Sequence, residues 1–346
     1  MRPGLLKRAA AAVLALALVL PLTACGGEDT AETSLFAMDT VMSLTVTGKD
    51  SQEALDRAVE ELYRLDKDFT VTASSPIFDL NNAAGEWVPM KEDDLDLLKQ
   101  GLELCRLTGG ALDLTAYSAV RAWGFTTGDY RVPDREELAE LAAHIDYTAL
   151  ELDEENSAAR LPKGMAADLG SVAKGYAADR LGELLRADGV QSGLLDLGSS
   201  TMLALGTKPS GDPWRIGIRT PGGNDYLAVL ELEDLAMGTS GGYQRYFERD
   251  GVTYWHIIDP TTAAPARTGL GSVTVVSPSG LLCDGLSTAL FVMGEKQALQ
   301  FWRSHPELDF DVLFVRKDGS VTITSGLESR FEKAPDHEKL EVRVVR

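Results

Sequence analysis

The sequence predicts an α+β fold (mixed α/β), built as a single unit with two interleaved lobes. Segments whose apolar residues recur three and four positions apart are interspersed with short segments rich in Val, Ile and Thr, which is typical of a fold that combines helices and strands. We find no Pro/Ser-rich linker beyond the N-terminal region and no internal repeat. Apolar residues make up 44% of the composition, which is ordinary for a globular chain with a large core.

Helical periodicity is clearest in three segments. Residues 51–68 place apolar side chains at three- and four-residue spacing, and residues 93–108 do the same before a Gly-Gly pair, a normal stop for a helix. Residues 134–143 are rich in Glu and predict a helix on the exposed side of the fold. The polar residues 69–85 lack this periodicity and predict loop and turn.

Short β-branched segments predict the strands. They lie within residues 31–47 and at residues 194–197, 214–219, 273–277, 312–315 and 321–324. The last two segments are joined by a short polar turn that contains Gly319, which predicts a hairpin. The charged residues 331–346 predict a loosely ordered tail.

The N-terminal region predicts export. A basic head precedes an apolar run at residues 9–20, and Leu-Thr-Ala then leads directly into Cys25. The run is too short to span a bilayer, which takes about 20 residues. The Leu-Thr-Ala-Cys sequence resembles the lipobox of bacterial lipoproteins. It implies a signal peptide at residues 1–24, a lipid on Cys25, a tether over residues 25–34 and a place on the extracytoplasmic face of the cell membrane. The alternative is a secretory signal with an incidental cysteine.

Charge and composition exclude several classes of function. The formal net charge of −20 argues against nucleic-acid binding and against electrostatic attachment to anionic lipid. Contact with a membrane is therefore expected through the lipid anchor alone. Cys105 and Cys283 give no disulfide framework and are expected in the core, with a single bridge between them as the alternative. The four histidines are too scattered for a histidine-rich zinc site.

Residues 167–181 carry the first candidate site. Gly170, Lys174 and Gly175 lie at the start of a predicted helix, where free backbone N–H groups and a positive charge favour an anion. Glycine also lets the main chain approach a ligand closely. The spacing is not that of a Walker loop. Phosphate contact and a glycine turn without ligand both remain open.

Two further segments could carry chemistry. Asp284 and Thr288 are four residues apart, so they share one face of a predicted helix and offer the hard oxygen donors that suit Mg²⁺ better than zinc. Asp284 acting only as a helix N-cap is the alternative. His256 follows a strand-like aromatic run and precedes Asp259-Pro260, where it could be a general base or could cap the turn.

Taken together, these segments resemble the ApbE family of FAD:protein FMN transferases over about residues 35–330. Residues 168–179 read Asp-Leu-Gly-Ser-Val-Ala-Lys-Gly-Tyr-Ala-Ala-Asp, close to the family signature Asp-Leu-Gly-x-x-Ala-Lys-Gly-Tyr-Ala-x-Asp. Seven blocks occur in the family order: residues 38–40, 108–115, 168–181, 213–218, 239–241, 256–260 and 284–289.

The chain departs from the family pattern at several positions. Asp39 stands where Gly is common, Ser199 and Ser200 replace a Gly-Asn pair, and Gly242 stands where Asp is common. Residues 69–82 lack the usual Tyr-Arg-Pro-like side chains. These departures bear on the binding of FAD rather than on the chemistry, because the blocks with Lys174 and Asp284 are intact.

The resemblance implies transfer of FMN from FAD to a Thr or Ser hydroxyl of an exported or membrane-bound electron-transport protein, with release of AMP. It implies a Mg²⁺ ion held by the Ala173 carbonyl, Asp284 and Thr288. A hydroxyl nucleophile needs a base, and we expect His256 in that role, with Asp284 or Asp259 as alternatives.

FAD is the expected substrate, and the resemblance also assigns residues to its binding. Met38 and Tyr243, together with Tyr246, are expected beside the isoalloxazine, although core packing also explains the tyrosines. Asp113 and Asp168 resemble positions that line the FAD pocket, and Lys174 is expected to meet phosphate or to order its loop. His256 is expected in the same pocket.

Two other functions remain compatible with the sequence. A Mg²⁺-dependent FAD pyrophosphatase would use water in place of the hydroxyl and release FMN and AMP. A non-catalytic FAD-binding lipoprotein would store or deliver flavin, but it would be expected to lack a complete metal block.

Overall fold

The computed structural model describes residues 29–346. Within these residues the chain forms seven α-helices: α1 (Ser51–Phe69), α2 (Pro76–Asn82), α3 (Glu92–Leu107), α4 (Tyr117–Ala122), α5 (Arg135–Ala142), α6 (Ala173–Ala187) and α7 (Gly280–Ser304). The strands of the same residues are β1 (Thr30–Ala37), β2 (Thr40–Thr47), β3 (Val88–Pro89), β4 (Glu151–Asp153), β5 (Ala158–Arg160), β6 (Ser192–Asp196), β7 (Thr201–Leu205), β8 (Trp214–Arg219), β9 (Tyr226–Leu232), β10 (Leu235–Gly241), β11 (Tyr246–Arg249), β12 (Val252–Trp255), β13 (Ile258–Asp259), β14 (Ala264–Pro265), β15 (Leu270–Ser277), β16 (Asp311–Arg316), β17 (Val321–Thr324), β18 (Phe331–Lys333) and β19 (Val342–Val345).

A nine-stranded sheet organises the fold. Its strand order is β1-β2-β6-β7-β10-β15-β16-β17-β19, and every neighbouring pair is antiparallel except β17 and β19. Side chains alternate between the two faces of a strand, and the interior strand β15 buries all eight of its residues, so both faces of the sheet are covered there. Helices and strands share one fold, so the α+β prediction is confirmed.

The two faces of the sheet carry separate hydrophobic cores. Val275 and Phe314 belong to the core that includes helices α1, α6 and α7. Their neighbours Val276 and Leu313 point to the opposite face and pack against the three-stranded sheet β18-β9-β8. Adjacent residues of one strand thus pack into different cores, one on the helix side of the sheet and one on the side of β18-β9-β8. The site described below lies beside the starts of two of these helices, α6 and α7.

Most predicted elements occur where the periodicity places them, but residues 69–85 contain a helix. The predicted loop includes α2, which begins after Ser75, and the Ser75 hydroxyl accepts a hydrogen bond from the Phe78 N–H at 3.0 Å. Pro76 occupies the first helical position, where its missing N–H costs nothing. The Ser-Pro pair is a helix-start signal, and the polar composition of the segment concealed it.

Both ends of the described chain are more ordered than predicted. Residues 30–34, assigned to a tether, belong to β1, which pairs with β2 along its whole length. Residues 331–346, assigned to a loose tail, contain β18 and β19, which pair with β9 and β17. β1 forms a hairpin with the next strand, whereas β18 and β19 are held by strands elsewhere in the chain, which composition cannot reveal. The predicted signal peptide at residues 1–24 and Cys25 lie outside the described residues.

Two further findings concern the described residues. Cys105 and Cys283 are buried free thiols, so the core prediction is confirmed and the alternative of a bridge between them is wrong. Burial raises the pKa of the Cys105 thiol to about 12. From residue 29 onward, no helix combines the length and the apolar character that crossing a membrane requires.

Candidate functional site

A cleft of about 840 Å³ opens beside the starts of α6 and α7. Its volume lies in the usual range for small-molecule sites. Nine predicted site residues line it: Met38, Asp113, Asp168, Ala173, Lys174, Tyr243, His256, Asp284 and Thr288. Cys25, the predicted lipidation site, lies outside the described residues.

Asp284 lies at the floor of the cleft and is 6% exposed. Its Oδ1 accepts a hydrogen bond from the Thr201 hydroxyl at 2.6 Å, and its Oδ2 accepts one from the Gly175 N–H at 2.7 Å. The N-cap of α7 is Ser279, five residues earlier, so Asp284 as an N-cap of its own helix is wrong. Burial raises the pKa of the Asp284 carboxyl, while Lys174 and the two hydrogen bonds oppose this shift.

The start of α6 binds an anion, as its sequence suggested, but the anion is the Asp284 side chain. Val172 precedes the helix and provides no side-chain cap, so the first-turn N–H groups take their partners from elsewhere, as the Ala173 N–H does from the Leu169 carbonyl oxygen at 2.7 Å. One of them, on Gly175, points to the Asp284 carboxylate. Lys174 acts electrostatically on Asp168, His256 and Asp284, so the same region keeps a positive charge for an incoming anion.

Oxygen donors cluster around Asp284. The Thr288 hydroxyl lies 3.0 Å from the Ser240 hydroxyl, which in turn lies 2.9 Å from the Ser287 hydroxyl. Ala173 is the first residue of α6 and lines the same cleft as Asp284 and Thr288. Residues 29–346 contain no group of three or more His, Cys, Asp or Glu side chains that could hold a metal. A carboxylate, a hydroxyl and a carbonyl are nevertheless the hard donors that fit Mg²⁺ with substrate phosphates.

His256 lines the cleft at the end of the β11–β12 hairpin. Its Nδ1 lies 3.2 Å from the Arg245 carbonyl oxygen. A carbonyl oxygen only accepts, so this hydrogen bond places the proton on Nδ1 and leaves Nε2 as an acceptor. Burial and the neighbouring Arg245 and Lys174 lower the pKa of the imidazole to about 4. His256 is therefore neutral near pH 7, the form that a general base requires.

The two predicted pocket aspartates differ in their surroundings. The Asp113 Oδ1 accepts hydrogen bonds from the Thr115 N–H and hydroxyl at 2.8 and 2.7 Å, and its Oδ2 accepts one from the Tyr147 N–H at 3.0 Å. Asp113 therefore holds its loop together at the cleft wall. The Asp168 Oδ1 accepts one hydrogen bond from the Gly170 N–H at 2.8 Å, and burial raises the pKa of this carboxyl.

The structure separates the predicted flavin contacts. Met38 and Tyr243 line the cleft, whereas Tyr246 is 49% exposed and is not among the residues that line it. Asp259, an alternative base, also does not line the cleft, and its Oδ1 accepts hydrogen bonds from the Thr261 N–H and hydroxyl. These contacts assign Asp259 to the turn and leave His256 as the base candidate with access to the cleft.

The departures from the family pattern have local consequences. Ser199 adopts φ 62°, a left-handed conformation that glycine accepts more readily, and its N–H donates to the Asp196 Oδ1 at 2.6 Å. Asp39 also has a positive φ of 61°. A Cβ at Gly242 would lie 3.1 Å from two atoms of the Trp255 ring. An aspartate at position 242 would therefore require Trp255 to move.

Sequence reasoning missed three residues of the site. Thr201 donates to Asp284, Ser240 joins the Thr288 hydroxyl, and Arg245 lines the cleft beside His256. Ser240 and Arg245 lie in or next to recognised blocks and could have been found there. Thr201 begins β7, and its strand-like surroundings give no signal of contact with a residue 83 positions away.

Known proteins resemble this chain over most of its length. A family model, that of the ApbE family, matches residues 38–313. A FAD:protein FMN transferase from Haemophilus influenzae is 31% identical over 315 residues, covering 85% of this chain and 90% of the relative. One from Treponema pallidum is 32% identical over 314 residues, covering 84% and 86%.

Solved structures agree with these relatives. The crystal structure of the ApbE protein from Thermotoga maritima has a TM-score of 0.80 at 31% identity and covers 90% of this chain and 99% of its own. Flavinyl transferase ApbE from Pseudomonas stutzeri has a TM-score of 0.78 at 29% identity, with 89% and 98% covered. The cleft, the order of its residues and these similarities lead to one conclusion: the chain belongs to the ApbE family.

Proposed function

We propose that this protein transfers FMN from FAD to a Thr or Ser hydroxyl of an exported acceptor protein and releases AMP in a Mg²⁺-dependent reaction. The observation that carries the proposal is one cleft that contains the buried carboxylate of Asp284, the half-buried hydroxyl of Thr288 and the neutral imidazole of His256. The names of the relatives, FAD:protein FMN transferase, support it independently.

A magnesium ion would be held by the Ala173 carbonyl, Asp284 and Thr288, and it would neutralise charge that develops on the pyrophosphate. The structure supports this assignment because Thr201 and Gly175 orient the Asp284 carboxylate through two hydrogen bonds. Lys174 supplies a further positive charge at the same place. Positioning and neutralisation of charge provide most of the catalysis in phosphoryl transfer.

The reaction forms a bond between the acceptor oxygen and the FMN-side phosphorus of FAD. The bond from that phosphorus to the bridging oxygen breaks, and AMP leaves with the bridging oxygen. His256 Nε2 accepts the proton of the hydroxyl, while Nδ1 stays bonded to the Arg245 carbonyl. An anionic pyrophosphate near His256 would favour the charged imidazolium and would therefore oppose the lowering of its pKa by burial, Arg245 and Lys174.

The flavin end of FAD would lie between Met38 and Tyr243, on the side of the cleft formed by the β1–β2 turn and the end of β10. Met38 is fixed there because its N–H donates to the Asp66 Oδ1 at 2.8 Å. Burial raises the pKa of the Tyr243 phenol, which keeps this ring neutral beside the isoalloxazine. Asp168 would line the same pocket.

We also propose that the protein is a lipoprotein attached through Cys25 to the extracytoplasmic face of the cell membrane. The lipobox-like sequence supports this, and strand β1 begins at Thr30, so only residues 26–29 separate the proposed lipid from the sheet. Acceptors would then be electron-transport proteins at the same surface. A Cys25→Ala variant should leave the membrane fraction, and retention there would contradict the anchor.

The decisive experiment incubates the full-length protein in detergent with FAD and Mg²⁺, with and without a threonine-bearing acceptor domain. AMP release and the mass of the acceptor are followed. A mass gain equal to FMN that EDTA abolishes is the expected result. AMP and free FMN without labelling would indicate a pyrophosphatase, and FAD binding without AMP would indicate a flavin-binding protein.

A further inference from the structure

Helices α6 and α7 begin with the same short pattern, Gly-x-x-x-Asp. In α6 it runs from Gly175 to Asp179, and in α7 from Gly280 to Asp284. Residues four apart share a helix face, so each helix presents a glycine and an aspartate on one side. The two copies are too short to be recognised as a repeat in the sequence, but the fold places them against each other.

The two patterns bind each other reciprocally. The Gly175 N–H donates to the Asp284 Oδ2 at 2.7 Å, and the Gly280 N–H donates to the Asp179 Oδ1 at 2.6 Å. Each helix therefore supplies the carboxylate that satisfies the start of the other. A carboxylate is favoured at this place because the N-terminal end of a helix carries partial positive charge.

Glycine is required at the crossing. A Cβ built on Gly175 would lie 2.2 Å from the Gly280 carbonyl oxygen, and one on Gly280 would lie 2.6 Å from the Gly175 carbonyl oxygen. Both contacts are to backbone atoms, so a larger residue could be accommodated only by moving one helix. The close approach fixes the distance between the two helix starts.

The two ends of this crossing face different surroundings. Asp284 lines the cleft, whereas Asp179 does not. The Asp179 Oδ2 accepts hydrogen bonds from the Ser279 hydroxyl and the Leu281 N–H, both at 3.0 Å, and Ser279 in turn accepts from the Leu282 N–H. Together these contacts satisfy the first three N–H groups of α7, which would otherwise be unpaired.

We propose that Asp179 is a positioning residue that sets where Asp284 and Thr288 stand relative to Ala173. Asp284 lies four residues beyond Gly280 and Thr288 lies eight beyond it, on the same rigid helix. A shift of the first turn of α7 would therefore displace both proposed metal ligands together. The proposal rests on the proposed function, because it assumes that this set of donors holds the metal.

The test compares Asp179→Ala and Asp179→Asn with the unchanged full-length protein. Mn²⁺ binding in the presence of FAD is titrated by electron paramagnetic resonance, and FAD binding is measured separately in EDTA. Loss of a group that orients metal ligands typically weakens metal affinity about 10–100-fold. We expect a loss of that size in Asp179→Ala, a smaller loss in Asp179→Asn, which keeps one acceptor oxygen, and unchanged FAD binding in EDTA.

Two further variants isolate the cause. Gly280→Ala retains Asp179 but forces the helix starts apart, so it should weaken Mn²⁺ binding in the same direction. Asp311→Ala is the matched control, because the Asp311 carboxylate also accepts from a hydroxyl and an N–H, those of Thr324 and Gly326, away from the cleft. It should leave Mn²⁺ affinity unchanged even if stability falls.

Kinetics provide a second readout. With saturating Mg²⁺, Asp179→Asn should lower kcat for FMN transfer while the KM for the acceptor stays the same. Equal Mn²⁺ affinity in Asp179→Asn and the unchanged protein would overturn the positioning role and leave the proposed function intact. Absence of Mn²⁺ binding and of FMN transfer in the unchanged protein would instead refute the proposed function, and the positioning role with it.

Discussion

The floor and the rim of the cleft are built differently. The floor consists of Asp284, Thr288 and the first turn of α6, with Thr201 behind Asp284, and its centre is buried: Thr201 is 0% and Asp284 6% exposed. The rim consists of the β1–β2 turn, Ser199 and residues 242–243. Three non-glycine residues of the rim, Met38, Asp39 and Ser199, have positive φ angles of 47°, 61° and 62°.

This difference bears on the departures from the family pattern. Asp39, Ser199 and Ser200 line the cleft and Gly242 adjoins its lining residue Tyr243, whereas Asp284, Thr288 and the first turn of α6 lie in blocks that match the family. In the floor, the Asp284 carboxylate is held by two hydrogen bonds from other elements, so a substitution there would leave buried donors unpaired. Substitutions in the rim should lower the stability of the fold less than substitutions in the floor. We therefore expect rim positions to affect the affinity for FAD and floor positions to determine whether FMN is transferred.

The largest expected effect is that of Asp284→Ala in the floor. Transfer of FMN should fall by about 10³-fold or more, because a bound metal contributes several kcal/mol to the stabilisation of the transition state. FAD binding measured in EDTA and the circular dichroism spectrum should change little. Transfer at the normal rate by this variant would refute both the assignment of Asp284 as a metal ligand and the expectation that floor positions determine whether FMN is transferred.

His256→Ala should lower transfer by about 10²–10⁴-fold, the usual contribution of a general base, while FAD affinity changes far less. The pair of measurements is kcat for transfer and the dissociation constant of FAD. Equal losses in both would show that His256 is structural. In that case the β11–β12 hairpin, which His256 follows, would contribute to the binding of FAD, as the rim does, and not to the chemistry.

The same histidine predicts a dependence of stability on pH. Its pKa is lowered from 6.5 to about 4 in the folded protein, so between these values the unfolded chain binds more protons than the folded one. The contribution of His256 to the free energy of unfolding is complete above about pH 6.5 and declines as the pH falls toward 4. Urea titrations at pH 7 and pH 5 should show a smaller difference for His256→Gln than for the unchanged protein.

Tyr243 at the rim and Tyr246 outside the cleft provide a matched pair. If Tyr243 stacks on the isoalloxazine, Tyr243→Ala should weaken FAD binding about tenfold to 100-fold, since stacking of a base on an aromatic ring contributes about 1–3 kcal/mol. Tyr246→Ala removes an exposed ring outside the cleft and should leave FAD affinity unchanged. Similar losses in both variants would remove Tyr243 from the flavin site.

The smallest effect is expected for Ser199→Gly. Glycine adopts the left-handed conformation of Ser199 without the strain of a Cβ, which should raise the free energy of unfolding by about 1 kcal/mol. The greater conformational entropy of glycine in the unfolded chain offsets part of this gain. Ser157→Gly is the control, because Ser157 has φ 49° in a turn outside the cleft. Both variants should gain stability by urea titration, but only Ser199→Gly should alter FAD affinity.

Prediction from sequence succeeded where the signal is local. Apolar spacing defined α1 and α3 nearly to the residue, and the alternation in residues 214–219 matches β8. It failed for residues 331–346, where β18 and β19 exist because strands elsewhere in the chain supply their hydrogen bonds. Residues 31–34 were assigned both to a strand region and to a tether, and they belong to β1, which pairs with the adjacent β2. It also failed for α2, whose Ser75-Pro76 start is short and lies in a polar segment.

For the site, the sequence by itself determined which residues could do the chemistry. Asp284 and Thr288 share a helix face because they are four residues apart, and the glycines before α6 mark a place where the main chain can approach another group. Only the tertiary structure decided what each group contacts. Thr201 and Gly175 bind Asp284 across 83 and 109 residues, and Asp179 binds the start of α7 across about 100. The physical reason is that these hydrogen bonds depend on how closely two helices pack, which residue spacing along one helix does not encode.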